Sequence, residues 1–298
     1  MRIDTGTAER PLRTRKKCTP VKVVKWVVYY AAIAVLLCIF LLPFFTMLSK
    51  SFMTYTEVRE LPIKLWADVM QFSNYAAAFQ AKYLRMLLNT LFVVAMNMIG
   101  ATLMSSFSAF GFTRMKFRLK KPLFVLIMST LMLPAMITQI PTYILFANLH
   151  MLDSLFPLFI STFFGGGVLN IFLVMQFMRG IPKDIDNAAV IDGAGPFRIF
   201  FSIALPLCKP VLIYIAITVF TGCWNDIQGP LIYLNSAGIE KYTLSLGFYF
   251  DFGAGGQYEL YKNWQMALGV LMTIPPAVVF FIFQRQLLDG VVMTGVKG

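Results

Sequence analysis

Residues 27–49 read VVYYAAIAVLLCIFLLPFFTMLS and carry no charged side chain. A helix that crosses the hydrocarbon core of a bilayer needs roughly 20 such residues. Five further segments have the same character, at residues 86–110, 122–146, 155–178, 203–224 and 264–284. Lys209 is the only Lys, Arg, Asp or Glu within the six segments, and it lies close enough to the start of the fifth to reach the interface. The sequence therefore predicts an all-α integral membrane protein with six transmembrane helices.

The composition excludes a soluble globular enzyme. Hydrophobic residues make up 58% of the 298 positions and charged residues 13%, whereas soluble domains have about 45–50% and about 25%. The net charge is +12 at pH 7, but eight of the Lys and Arg residues precede the first apolar segment and the others cluster in short loops. Since no continuous basic face results, the charge indicates a membrane surface as partner and argues against nucleic acid.

The distribution of Lys and Arg predicts the orientation. With six spans, both termini lie on one side together with residues 111–121 and 179–202. Counting Lys209 at the adjoining end of the fifth span, this side carries nineteen Lys and Arg against seven on the other. Because positively charged short loops stay in the cytoplasm, we expect both termini there. The resulting division is a basic cytoplasmic tail at 1–26, a first transmembrane anchor at 27–49, an extracytoplasmic segment at 50–85, a core transmembrane domain at 86–284 and a cytoplasmic tail at 285–298. Residues 226–263 are then also extracytoplasmic.

The chain lacks the residue patterns of catalysis and phosphate binding. No G-x-x-x-x-G-K-[ST] motif occurs, and Gly253, Gly255 and Gly256 miss the G-x-G-x-x-G spacing. His150 is the only histidine, and the four cysteines form no C-x-x-C pair. We therefore expect no catalytic residue, metal site or cofactor in this chain. The spans hold no carboxylate or histidine, which disfavours proton-coupled transport and leaves sodium coupling open.

Glycines and prolines interrupt several apolar segments. Residues 165–167 are all glycine and fall inside the fourth segment, where small residues either allow close helix packing or line a constriction of a pathway. Pro134 and Pro141 in the third segment, and Pro275 and Pro276 in the sixth, predict helix breaks.

The loop at 181–206 has more internal structure than a connector needs. Asp184 and Asp186 follow Pro182 and predict the first turn of a helix, which Gly193 is placed to end. Pro196 then predicts a second short helix, in which aromatic and aliphatic residues recur at helical spacing up to Pro206. The pattern predicts a helix, a glycine elbow and a helix at the membrane surface; an ordinary amphipathic loop resting on headgroups is the alternative.

Residues 186–206, DNAAVIDGAGPFRIFFSIALP, resemble the EAA loop of permease subunits of binding-protein-dependent ABC importers. That loop reads E-A-A, three residues, G, nine residues, I-x-L-P. Here Ala188, Ala189 and Gly193 match, as does the ending Ile203, Leu205 and Pro206, while Asn187 stands where the family usually has Glu. WNDIQGPLIYL (224–234) and FQRQLLDGVVMTGVKG (283–298) are similar to the shorter six-span permease of the maltose type.

The resemblance implies sugar import driven by ATP that partner subunits bind. The expected partners are a second homologous permease, two ATPase subunits, an extracytoplasmic solute-binding protein, the sugar and the lipid bilayer. The resemblance also implies that the ATPase docks on the loop at 181–206, with Asp186 able to replace the missing glutamate although it points about 100° around the helix. The coupling residues implied are Asp186, Asn187, Ala188, Ala189, Asp192, Gly193, Ala194 and Pro206.

Neutral sugars bind amides, hydroxyls and aromatic faces, so polar and aromatic residues in or beside the spans are candidates for the substrate pathway. They are Asn89, Asn97, Asn170, Tyr214, Trp224 and Asn225. Each of them can instead form a hydrogen bond between helices or anchor the interface. For the chain as a whole, a self-sufficient carrier or channel and a membrane-bound enzyme are the alternatives to the permease subunit.

Overall fold

A computed structural model describes residues 20–295 except residues 63, 79 and 254, so most of the predicted basic tail and the last three residues lie outside the described part. Within it the chain is helical and contains no strand. The helices are α1 Pro20–Ser51, α2 Ser73–Ala78, α3 Ala81–Arg114, α4 Lys120–Ser129, α5 Ala135–Asn148, α6 Val168–Arg179, α7 Asp184–Ile191, α8 Pro196–Ile199, α9 Leu205–Leu207, α10 Lys209–Trp224, α11 Gln228–Tyr233, α12 Leu244–Phe252 and α13 Lys262–Gly295. Short 3-10 turns occupy Glu57–Arg59, Thr130–Met132, Phe156–Leu158, Ile160–Phe163 and Ile239–Lys241, and a π-helix occupies Phe200–Ala204.

Among these residues four stretches are long and apolar enough to cross a membrane, and six if two bent helix pairs each count as one span. The four lie in α1, in α3, at 160–179 and in α13. The predicted number of spans is thus reached only with the bent pairs, which correspond to the third and fifth predicted segments.

The break predicted at Pro134 in the third segment is confirmed, and the fifth segment is bent as well. The third is bent by 105° between residues 132 and 136, because Pro134 disfavours helical geometry at Leu133, whose backbone is extended. The fifth is bent by 74° at Cys208, directly before α10. The breaks predicted at the other prolines are absent, since Pro141 lies inside α5 and Pro275 and Pro276 lie inside α13.

The fourth predicted span is also not one continuous α-helix. Two 3-10 turns precede Gly165, Gly166 and Gly167, whose φ angles of 112°, 77° and 93° are left-handed, and α6 begins only after them. A Cβ atom on Gly166 would overlap the backbone of Ser105 in α3. The packing interpretation of the glycine run therefore holds at Gly166.

Helix α3 is the centre of the fold, and it packs against both α6 and α10. At its C-terminal end, Ala109 and Phe110 share a buried cluster with Met178 and Phe200. Towards its N-terminal end, the buried cluster includes Tyr83, Met86, Trp224 and Leu268. By contrast, α1 packs mainly on α13 and is exposed along most of its length. Residues near both ends of α3 therefore belong to packed cores.

Three long helices extend beyond the predicted limits of their spans. Helix α3 begins at Ala81, within the predicted segment 50–85, and α13 continues to Gly295, within the predicted tail 285–298. Helix α1 likewise begins at Pro20, before the predicted anchor at 27–49. The ends of these helices carry polar and charged residues, which continue the helix but lower the local hydrophobicity. The predicted spans, which were chosen by hydrophobicity, therefore stopped short of the helix ends.

Candidate functional site

The predicted helix and glycine elbow are confirmed. Helix α7 ends at Ile191, and Gly193 has the left-handed φ of 79° that an L side chain rarely adopts. The N–H of Gly193 donates to the carbonyl of Val190 at 3.0 Å, and the N–H of Ala194 donates to the carbonyl of Ala189 at 2.9 Å. This pair of hydrogen bonds is the Schellman motif, which closes a helix C-terminus and redirects the chain.

The second half of the loop is a bent helical run that is fastened to α3. Helix α8 continues through the π-helix into α9, which contains the exposed Pro206. Phe200, only 2% exposed, places its ring 5.5 Å from Phe107 and 5.4 Å from Phe110, both in α3. Edge-on aromatic contacts of this kind stabilise packing beyond the area that they bury. Movement of this run therefore requires movement of α3.

The first half of the loop is fastened to the same helix by an ion pair. Nε of Arg114, at the C-terminal end of α3, lies 2.8 Å from Oδ2 of Asp186 in α7. Nη2 of Arg114 also donates to the carbonyl of Ile181 at 3.1 Å. The side chains are 9% and 15% exposed. Asp186 thus faces its own chain, a position that does not favour its substitution for the missing glutamate at an outward surface.

The other implied coupling residues divide between two faces. Ala189 and Ala194 are half-buried and pack against the cluster that contains Phe110 and Phe200. Their small side chains let the loop approach α3 closely. The remaining four, which are exposed, are Asn187, Ala188, Asp192 and Gly193.

Sequence reasoning missed the apolar residues on the outward face. Val190, Ile191 and Phe197 are 59%, 86% and 69% exposed, and a Cβ atom on Gly193 would have no neighbour within 4 Å. Phe197 belongs to the aromatic repeat of the second helix, and Val190 and Ile191 simply continue the first, so no pattern in the loop marked them as outward-facing. We define the elbow surface as Asn187, Ala188, Val190, Ile191, Asp192, Gly193 and Phe197. It is open, apolar in the middle and free of bulky obstruction, as suits a docking site.

Three of the six pathway candidates hold the chain together. Nδ2 of Asn89 donates to the carbonyls of Glu240 and Tyr242 at 2.8 and 3.0 Å. Nδ2 of Asn97, a buried residue, donates to the carbonyl of Leu158 at 2.9 Å. The buried Trp224 donates from Nε1 to the carbonyl of Met272 in α13 at 3.1 Å. These groups form the links between elements that were the alternative interpretation.

The other three candidates lie elsewhere. Asn170 donates to the carbonyl of Gly166 at 2.7 Å and braces the glycine break. Tyr214 and the exposed Asn225 are separated by about three helical turns and so share one face of α10. Thr218 and Thr221, which are both exposed, lie between them. We call this row the α10 polar stripe, made up of Tyr214, Thr218, Thr221 and Asn225.

The N-terminal end of α3 is attached to the segment that follows α11. Nζ of Lys82 lies 2.8 Å from Oδ2 of the buried Asp251, and the hydroxyl of Tyr83 donates to the same oxygen at 2.6 Å. Farther along α3, the hydroxyl of Thr90 accepts from the N–H of Leu244 at 2.8 Å. Residues 239–252 are therefore fixed to α3 at the end opposite the elbow.

The segment that follows α1 is internally braced. Nδ2 of Asn74 donates to the carbonyls of Ser51 and Met53, both at 2.9 Å, and its Oδ1 accepts from Asn263 at 3.0 Å. The backbone N–H of Thr54 donates to Glu57, and this bond lowers the pKa of the Glu57 carboxyl. The described residues that join α1 to α2 are thus held to one another and to Asn263 by these hydrogen bonds.

The structure offers no site for a resident metal among the residues that it describes, since no three His, Cys, Asp or Glu side chains gather there. The structure instead provides three features: an outward elbow surface, a long helix α3 that is attached at both ends, and a polar stripe on α10.

Comparisons with known proteins identify the family of this chain. Residues 101–292 match the family described as "Binding-protein-dependent transport system inner membrane component". A putative ABC transporter permease of Caldicellulosiruptor sp. (strain Rt8B.4) is 31% identical over 92% of this chain and 97% of its own length. The galactooligosaccharides transport system permease protein GanQ of Bacillus subtilis (strain 168) is 32% identical over 76% of this chain and 80% of its own length.

The fold is also that of a solved permease structure. In the crystal structure of a bacterial ABC transporter that imports the acidic polysaccharide alginate, one chain superposes with a TM-score of 0.79 at 18% identity, covering 90% of this chain and 98% of that one. The family match extends over more than half of the sequence and the relatives exceed 30% identity. This chain therefore belongs to the inner-membrane components of binding-protein-dependent transport systems, the multi-pass permeases of ABC importers.

Proposed function

We propose that this chain is one of two homologous permease subunits of an ATP-driven sugar importer. An ATPase subunit docks on the elbow surface in the cytoplasm, and an extracytoplasmic binding protein delivers the sugar to the opposite side. Both termini lie in the cytoplasm, an orientation supported by the nineteen Lys and Arg residues on that side. The second permease covers the exposed face of α10 that carries Tyr214, Thr218, Thr221 and Asn225.

The observation that carries the proposal is the attachment of α3 at both of its ends. Arg114 binds Asp186 on the elbow side, and Lys82 binds Asp251 on the other side. A 34-residue helix is about 50 Å long at 1.5 Å per residue, enough to traverse the bilayer. A shift of the docked loop is thereby carried to the segment at 239–252, which couples ATPase closure to opening of the far side.

A sugar as substrate is supported by the relatives and by the α10 polar stripe. GanQ is named for galactooligosaccharide transport, and the structural relative belongs to a transporter of alginate. The side chains of Thr218, Thr221 and Asn225 are exposed, and each donates to a carbonyl one turn earlier in the chain, those of Tyr214, Ile217 and Thr221 respectively. Their oxygens remain able to accept hydrogen bonds, which suits a face towards a polar pathway or another protein chain better than one towards lipid. We propose that this stripe lines the sugar pathway against the second permease.

The docking test uses two glycines matched in geometry. Gly193 and Gly255 have φ angles of 79° and 77°, and a Cβ atom on either would meet no atom within 4 Å. They lie on opposite sides of the membrane in the proposed orientation. We expect Gly193→Trp to abolish co-purification of the ATPase and ATP-driven uptake, with insertion of the chain retained, whereas Gly255→Trp retains ATPase binding.

Two results would overturn the proposal. One is normal ATPase co-purification and uptake with Gly193→Trp. The other is solute accumulation by the purified chain alone in vesicles without ATP, which would identify it as a self-sufficient carrier. Uptake of a panel of labelled mono- and oligosaccharides by the complete transporter identifies the sugar, and accumulation of none of them would refute the substrate class.

A further inference from the structure

A basic pocket opens between the ends of three helices beside the coupling loop. Its volume is about 390 Å³, and its walls come from the last turns of α3 and α6, the first turn of α4 and residues 180–183. Lys120, Arg179 and Lys183 are its cationic residues besides Arg114. No segment of the described chain fills it.

None of these three cations has an acidic partner among the described residues. Arg114 is engaged by Asp186, but no carboxylate of that part of the chain lies within 4 Å of Lys120, Arg179 or Lys183. Lys120 donates to the carbonyl of Met115, at 3.2 Å. Three like charges around one cleft repel each other, so an anion with several oxygen acceptors would stabilise the arrangement.

An apolar stripe leads away from the pocket along α4. Leu119, Leu123 and Leu126 recur at helical spacing and are 60%, 39% and 62% exposed. On the inner side of α4, Phe124 packs against Phe112 of the pocket wall, with ring centroids 6.0 Å apart. The cationic cleft therefore lies next to an exposed apolar helix surface, and in the proposed orientation it falls at the cytoplasmic end of α4, where lipid headgroups would meet it.

We propose that this pocket binds the phosphate of an anionic glycerophospholipid, with an acyl chain of that lipid lying on the Leu119, Leu123 and Leu126 stripe. Cationic residues recognise the headgroup, and the stripe distinguishes an amphiphile from a free phosphate ion. Residues 181–183 form one wall of the pocket and lead directly into α7. A bound lipid therefore restrains residues 181–183, where the loop at 181–206 begins. Its effect on coupling rests on the proposed function, but the binding of the lipid does not.

The test measures lipid retention by the purified full-length chain in detergent, using native mass spectrometry. The probes are phosphatidylglycerol, phosphatidylcholine and inorganic phosphate. The pocket variant is Lys120→Gln/Arg179→Gln/Lys183→Gln. The control variant is Lys116→Gln/Arg118→Gln/Lys121→Gln, which removes the same charge from residues of the adjoining loop and the first turn of α4 that do not line the pocket. The three single pocket variants are measured as well, in case the triple variant does not fold.

We expect wild type to retain phosphatidylglycerol over phosphatidylcholine, the pocket variant to lose affinity at least tenfold, and the control variant to lose less than threefold. Single pocket variants should each lose affinity, by less than the triple. Equal losses in the pocket and control variants would refute a specific site. Displacement of the lipid by inorganic phosphate at comparable concentration would refute the acyl-chain contact.

A separate measurement distinguishes the lipid from an acidic protein surface. If the pocket variant loses the co-purifying ATPase and keeps wild-type lipid retention, the pocket is a protein contact and the proposal fails. Because the lipid assay uses this chain alone, it remains informative if the chain proves to need no ATPase.

Discussion

Arg114 and Asp186, 72 positions apart in the sequence, form an ion pair in which Nε and Oδ2 are separated by 2.8 Å. The pair joins the C-terminal end of α3 to α7, and Phe200 makes a second attachment of the loop to α3 through Phe107 and Phe110. The loop is therefore held at two points on one helix. This arrangement is the basis for the first prediction.

Breaking the Arg114–Asp186 pair should uncouple the transporter. In Arg114→Gln or Asp186→Asn a largely buried partner loses its counter-charge, at a cost of about 1–3 kcal/mol. We expect the ratio of sugar transported to ATP hydrolysed to fall several-fold in the reconstituted complex. The exchange Arg114→Asp/Asp186→Arg should recover part of the loss if the pair itself matters.

The control is the exposed pair of Lys64 and Asp68. Surface pairs contribute little to stability, so Lys64→Gln should leave the transport ratio unchanged. An unchanged ratio in both Arg114→Gln and Asp186→Asn would contradict the proposal that this ion pair transmits movement of the docked loop to α3.

The elbow should be labelled from the cytoplasm only. A Cβ atom on Gly195 would meet nothing within 4 Å, and Ser236, in the segment after α11, is exposed. In a background with all four cysteines replaced by serine, Gly195→Cys should resist a membrane-impermeant maleimide on intact cells and react once the membrane is opened. Ser236→Cys should react on intact cells, and the reverse pattern would invert the proposed topology.

Replacing the buried Asn97 should lower stability, whereas replacing the exposed Asn225 should weaken sugar transport. Asn97→Ala removes a hydrogen bond to the carbonyl of Leu158 and leaves that carbonyl unpaired. We expect a loss of about 1–3 kcal/mol, seen as a lower melting temperature in detergent. Asn225→Ala changes an exposed amide and should raise the half-saturating sugar concentration with little change in melting temperature. Equal effects of both variants on melting would place Asn225 in a structural role.

Gly166 should tolerate no side chain. A Cβ atom would overlap the backbone of Ser105, and the φ of 77° adds strain. Overpacking costs about 1–3 kcal/mol, so Gly166→Ala should lower the melting temperature and the yield of the inserted protein. Gly222→Ala in α10 is the matched control, because a Cβ atom there meets no atom within 4 Å. Similar stability of the two variants would show that α3 can move away from the glycine run.

The sequence predicted those elements that depend only on residues close together in the chain. The apolar stretch at 27–49 predicted α1, and Gly193 predicted the end of α7, since each depends on neighbouring side chains alone. Pro134 predicted a break for the same reason. The 105° bend that results could not be predicted, because helix packing sets the direction in which the chain continues.

The sequence pattern could not predict which residues bind each other across distant elements of the fold. The resemblance to the EAA loop offered Asp186 as a substitute for the missing glutamate at the ATPase, whereas the structure shows its carboxylate paired with Arg114. Asn89, Asn97 and Trp224 were chosen for their chemistry, but their partners lie in distant elements and consume their N–H donors. A polar residue in an apolar segment indicates that a partner exists without identifying it.

The uninterrupted course of α3 fixes the angle between its two ends. Each inserted residue would rotate everything beyond it by about 100° and lengthen the helix by 1.5 Å, so that Lys82 and Arg114 could no longer both meet their carboxylates. A chain of this design can therefore vary the length of the 115–119 connection freely, while the number of residues from 82 to 114 is held constant by geometry.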